Sequence, residues 1–159
     1  MAVQARADVS NSPNASFLDY IQAEKAALRL IARAEQCSAG LTRKLEKRGY
    51  DSASINKVIS NLCEINLLDD KRFARLWLLS HMHLTRSPRR LLSSLCSRGI
   101  DLDDAKNTLK EVLDKETELA LLERFAKKYT KKTDNKSEIK FLLKNEGFST
   151  KIIEEFLQK

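Results

Sequence analysis

The stretch LEKRGYDSASI, residues 45–55, is written three times in this chain. It returns as LCSRGIDLDDA at 95–105 and as LKNEGFSTKII at 143–153. Each copy places one of only four glycines, Gly49, Gly99 or Gly147, at the same position, 50 and then 48 residues apart. Eight residues before the glycine stand Leu41, Leu91 and Ile139, and four before stand Leu45, Leu95 and Leu143. That spacing puts both on one face of a helix. After the glycine come Tyr50, Ile100 and Phe148, then Asp51, Asp101 and Ser149. A second apolar pair follows, Ile55/Ile59, Ala105/Leu109 and Ile153/Leu157. The chemistry reads as a corner between two helices. Glycine takes the positive φ that ends the first helix, the next apolar residue packs back on it, and Asp or Ser caps the second.

Upstream of each corner the period continues into a further helix, over 21–36, 71–84 and 116–129. Asp69 or Asp70 is expected to cap the second of these. Ser38, Ser87 and Asn135 are expected to cap the middle helices, with Pro88 at a favoured first helical position. Only Pro13 and Pro88 occur, β-branched clusters and hairpin turns are missing, and the class is all-α. The expected organisation is three tandem three-helix modules, 17–66, 67–114 and 115–159, after a disordered tail over 1–16. Units this small lean on their neighbours, so an elongated, curved helical-repeat protein is expected.

Of 159 residues, 42% are apolar and 32% charged, and the net charge is +7. Positive charge is spread, at +3, +2 and +3 over 26–66, 67–114 and 115–159, which points to an anionic partner along the whole array. The basic groups are Arg43, Lys44, Lys47 and Arg48; then Lys71, Arg72, Arg75, Arg86, Arg89, Arg90 and Arg98; then Lys127, Lys128, Lys131 and Lys132. Arg89 and Arg90 stand at a helix start, where the dipole disfavours cations, so another interaction must hold them there. Phe73 and Trp77, four apart, read as core, with base stacking as the lesser alternative.

Catalytic motifs are missing: there is no GxxxxGK(S/T), GxGxxG or GxSxG, and neither a catalytic residue nor a cofactor is read. His81 and His83 are two apart and point to different helix faces, so no metal is read. Cys37, Cys63 and Cys96 are an odd number without CxxC spacing and read as reduced thiols. The opening residues lack the apolar run of a secretory signal, and no window approaches a membrane span. A cytoplasmic protein, without a membrane partner, is expected. Nothing resembles a heptad zipper, and a monomer is expected.

Three stretches together carry a family resemblance: LLDDKRFA (67–74), PRRL (88–91) and the L-x-x-(K/R)-G corners, followed by EIKFLLKNEGFSTKIIEEFL (138–157). In this order they resemble the RecX regulatory proteins of bacteria, over about residues 26–159. Two departures stand out. Cys37 and Gly40 replace a family Ser and Glu at the start of the first middle helix, and Ser87 replaces a glycine before Pro88. The resemblance implies a non-enzymatic protein that binds the RecA recombinase and its nucleoprotein filament, inhibits its ATPase, strand-exchange and coprotease activities, and acts in DNA repair, recombination and the SOS response. Contact with single- or double-stranded DNA is also implied. Arg72, Arg75, Arg89, Arg90 and Arg98, with Arg43, Lys44 and Arg48, are the expected electrostatic contacts. Neutralising Arg89 and Arg90 together is expected to weaken filament inhibition with little loss of thermal stability. The rival is a helix-turn-helix DNA-binding protein acting on duplex DNA.

Overall fold

The computed structural model describes residues 13–129 and 135–158, with side chains from Phe17 onward. Among these residues all regular structure is helical: α1 Pro13–Ile31, α2 Ser38–Glu46, α3 Ser52–Glu64, α4 Asp70–His81, α5 Pro88–Cys96, α6 Leu102–Val112, α7 Lys115–Tyr129, α8 Lys136–Asn145 and α9 Thr150–Gln158. They pack in threes, with α1, α2 and α3 together, α4, α5 and α6 together, and α7 and α8 each against α9. The chain forms two compact units, one ending at Asp69 and one beginning at Asp70, and the second holds two of the three-helix sets.

All three corners have the same backbone. Gly49, Gly99 and Gly147 take φ of +84°, +96° and +87°. The glycine N–H reaches the carbonyl three residues back, and the following N–H reaches five back: Tyr50 to Leu45, Ile100 to Leu95, Phe148 to Leu143. These paired bonds satisfy carbonyls that the ending helix leaves open, and they press the apolar residue onto the leucine beneath it. Ile100 and Phe148 are buried. Asp51 then accepts from the Ser54 N–H at 2.9 Å, and Asp101 from the Asp103 N–H at 2.8 Å. At the third corner the amide and hydroxyl of Ser149 both donate to the Glu118 carboxylate, tying the corner to α7. A fourth corner of this type, unforeseen in the sequence, ends α3. There Asn66 takes φ of +55°, and Leu67 N–H bonds to the Leu62 carbonyl.

The core is the face that the repeat outlined. In the first unit Leu41, Leu45, Ile55, Val58 and Leu62 close over Ala23 and Ala27 of α1. Each buried aliphatic side chain there contributes about 1.5–3 kcal/mol. In the second unit Leu91, Leu95, Ala105 and Leu109 are buried with Ala74, Trp77 and Leu78 of α4. In its other helix set, Leu143, Ile152 and Ile153 are buried with Leu121, Leu122 and Phe125, and Phe125 lies 5.6 Å from the Phe148 ring.

Several boundaries differ from the sequence expectation. α1 begins at Pro13, inside the stretch expected to be tail; residues 1–12 lie outside the described residues. It ends at Ile31 rather than at Gln36, and the Gln36 side-chain amide folds back to donate to the carbonyls of Leu30 and Ala34. α4 ends at His81, three residues early. Cys37, not Ser38, is the N-cap residue of α2, and its side chain makes no capping hydrogen bond. Ser87 and Asn135 do cap α5 and α8, and Asp114, not foreseen, accepts from the Thr117 N–H ahead of α7.

Candidate partner-binding surface

The two unexpected residues at the α2 start depend on each other. A Cβ on Gly40 would lie 2.9 Å from the Cys37 Sγ, closer than real contacts allow. The buried thiol thus fills the space that a side chain at position 40 would need.

The basic residues of α2 and of the turn that follows it are exposed, and Arg43 and Arg48 are held by carbonyls of α2. Arg43 Nε donates to the Ala39 carbonyl at 3.1 Å, and an Arg48 guanidinium nitrogen to the Lys44 carbonyl at 3.2 Å. Lys44 Nζ donates to the Gln36 side chain. On α4, Arg72 is half-buried and Arg75 is exposed.

Arg98 and Arg86 surround Trp77, with the Arg98 guanidinium 4.6 Å and that of Arg86 5.9 Å from the ring centre. His81 stacks on the same indole at 4.0 Å. Trp77 is only 9% exposed, so it is core, not a platform for bases. Phe73 is half-buried. Delocalised guanidinium groups on an indole keep their charge at the surface while their carbon stems cover apolar area.

Arg89 and Arg90 part company. The start of α5 abuts the end of α8: Arg89 N–H donates to the Glu146 carbonyl at 3.0 Å, and the Ser87 hydroxyl donates to the Glu146 carboxylate. The Arg90 guanidinium lies 3.8 Å from that carboxylate, 5.2 Å from the centre of the Tyr129 ring, and 3.2 Å from the Tyr129 hydroxyl. Desolvation pushes the Tyr129 hydroxyl up, but the Arg90 hydrogen bond and the nearby Lys128 charge outweigh it, and the net shift is down. Glu146 resolves the dipole puzzle. A carboxylate at the α5 N-terminus favours both the helix and the arginine. The Arg89 side chain, by contrast, is exposed and has no partner among the described residues. Arg90 is therefore partly a folding contact, which the sequence reading did not foresee. Its signal was present: the residue before the glycine is Arg48, Arg98 and then Glu146, a reversal in the third copy alone. Arg124, also not singled out, donates to the Met82 carbonyl at 2.8 Å and joins α7 to the end of α4.

Lys127 and Lys128 lie in the last turn of α7, while Lys131 and Lys132 fall outside the described residues. Among the described residues no three His, Cys, Asp or Glu side chains gather as a metal site, and no helix is long and apolar enough to cross a membrane. None of the three cysteines is in a disulfide.

The fold and its surface define a class, an all-α repeat protein that displays basic side chains on successive three-helix sets. Comparison with known proteins narrows it. Residues 23–62 match the family model described as RecX, first three-helix domain. The chain is 31% identical over 133 residues to the regulatory protein RecX of Treponema pallidum, covering 83% of this chain and 81% of that protein. It is 37% identical over 89 residues to the regulatory protein RecX of Halorhodospira halophila, covering 56% of this chain and about half, 53%, of that protein. A crystal structure of RecX from Lactobacillus salivarius superposes with a TM-score of 0.71 at 24% identity, covering 89% of this chain and 96% of that one. A second crystal structure of a regulatory protein RecX gives 0.78 at 16%, covering 100% and 81%. The chain belongs to the RecX family of regulatory proteins.

Proposed function

We propose that this protein is a non-enzymatic cytoplasmic regulator that binds the RecA–single-stranded DNA filament and restrains its ATPase, recombinase and coprotease activities in DNA repair, recombination and the SOS response. The observation that carries this reading is the 31% identity to a regulatory protein RecX across most of both chains. The surface supports it: every helix set presents cations, as suits an extended polyanionic or acidic partner. Arg75, Arg89 and the cluster of Arg43, Lys44 and Arg48 at the end of α2 and the turn after it are the contacts most open to a partner, with Arg72, Arg90 and Arg98 contributing beside their intramolecular bonds. Modules set along a filament would bridge adjacent subunits and oppose growth or ATP-coupled closure.

The test is ATP hydrolysis by RecA on single-stranded DNA with this protein titrated at two salt concentrations. Inhibition well below the RecA concentration supports blocked growth. Inhibition only near stoichiometry supports occupancy along the filament. Absence of inhibition alongside salt-sensitive binding to duplex DNA would replace this reading with the DNA-binding rival.

A further inference from the structure

Where the second helix set meets the third, inside one compact unit, lies an open groove of about 420 Å³. Its size falls within the roughly 300–1,000 Å³ of pockets that bury a ligand's apolar groups. Leu92, Cys96, Leu102 and Leu109 line it, with Pro88 and Gly147 toward the seam. The internal repeat shows that this lining is particular to one copy. Seven residues before the glycine the three copies have Thr42, Leu92 and Lys140. Three before, they have Glu46, Cys96 and Lys144, and three after, Ser52, Leu102 and Thr150. At three outward positions the second copy alone is apolar. Packing against the third set does not consume these residues, since Leu92 and Cys96 are half-buried and Leu102 is 49% exposed. At the rim stands Arg89, whose guanidinium has no partner among the described residues and whose equivalents are Ala39 and Ser137. An apolar slot beside one uncompensated cation, in a chain of net charge +7, is complementary to an apolar side chain flanked by a carboxylate.

We infer that this groove seats an apolar anchor from an acidic segment of a protein partner, with the adjoining carboxylate on Arg89. The inference rests on the regulator reading for the identity of the partner tested, the RecA filament.

The experiment measures binding of the full chain to RecA filaments on single-stranded DNA, and to the DNA alone, for wild type, Leu102→Glu, Arg89→Glu and Leu76→Glu. Glutamate is favourable at the first position of α6 and near the start of α5, so the groove variants should fold. Trp77 fluorescence in urea checks that they do. Leu76, 47% exposed on α4, does not line the groove and controls for loss of any surface leucine. The expected result is filament binding weakened about tenfold or more by Leu102→Glu and by Arg89→Glu, and within about twofold of wild type for Leu76→Glu. Wild-type binding with unchanged groove variants overturns the groove and leaves the regulator reading standing. No wild-type binding overturns both. Equal losses on DNA alone would make Arg89 a phosphate contact and overturn the protein anchor. A wild-type dimer that Leu102→Glu dissociates would make the occupant a second copy, with the same consequence.

Discussion

Replacing Arg90 by alanine tests whether the contact between α5 and α8 is a folding interaction. Three contacts are lost: an ion pair to Glu146 at 3.8 Å, a hydrogen bond to the Tyr129 hydroxyl at 3.2 Å, and the guanidinium over the Tyr129 ring. Taken singly, these are worth about 0.2–1, about 0.5–1.5 and about 0.5–1 kcal/mol. The Arg90 side chain is 51% exposed, so water competes for each and the values do not add. Arg90→Ala should cost about 1–2 kcal/mol. Glu146 is only 17% exposed and also accepts from the buried Ser87 hydroxyl, so Glu146→Ala should cost more, about 2–3 kcal/mol. The two changes should couple by about 0.5–1 kcal/mol in a double-mutant cycle. Arg89→Ala, with no side-chain partner to lose among the described residues, should stay within about 0.5 kcal/mol of wild type. The assay is urea unfolding followed by the single tryptophan, which lies in the same compact unit. An Arg90→Ala midpoint no lower than that of Arg89→Ala, or no coupling to Glu146, would refute this account of the contact. Function should then be compared on the single variants, since the double Arg89/Arg90 change mixes surface charge with fold.

Three further outcomes follow from local geometry. Gly49→Ala places a side chain at φ +84° with open space around its Cβ, so the cost is backbone strain alone, about 1 kcal/mol net by thermal melting. Gly40→Ala should be neutral or destabilising beside Cys37 but stabilising by up to about 1 kcal/mol in a Cys37→Ala background, because only the thiol blocks the better helix former; equal effects in both backgrounds would dismiss the clash. Asp19 and Asp51 share a hydrogen bond that pushes Asp19 up and, with Ser54, holds Asp51 down to about 2. The Asp51 contribution is complete above its ordinary value near 3.8 and lost as pH falls toward 2, whereas ionising Asp19 weakens the fold as pH rises past its raised value. Asp19→Asn should therefore raise the melting temperature at pH 7 more than at pH 3, and a larger gain at pH 3 would reverse the assignment.

The sequence by itself determined whatever is settled within one turn of helix. The glycine corners, the Asp51 and Asp101 caps, and the leucines four and eight residues before each glycine are interactions between near neighbours in the chain, so their spacing is their structure. The same locality explains the misplaced ends. Gln36 continues a helical pattern, yet α1 ends five residues earlier, at Ile31, and the Gln36 amide reaches back to carbonyls that only the folded turn brings near. The fate of the arginines was decided by tertiary structure, because Glu146 lies 56 residues after Arg90, and Arg98 follows Trp77 by 21. A charged residue in a repeat looks alike whether it faces water or a neighbouring helix set, and only packing the third set on the second placed Arg90 against Glu146 and Tyr129 and left the Arg89 guanidinium without a partner among the described residues, beside an apolar groove. The physical reason is range. Backbone hydrogen bonds and caps act across a few residues, while ion pairs and buried faces depend on which distant surfaces the chain brings within a few ångströms.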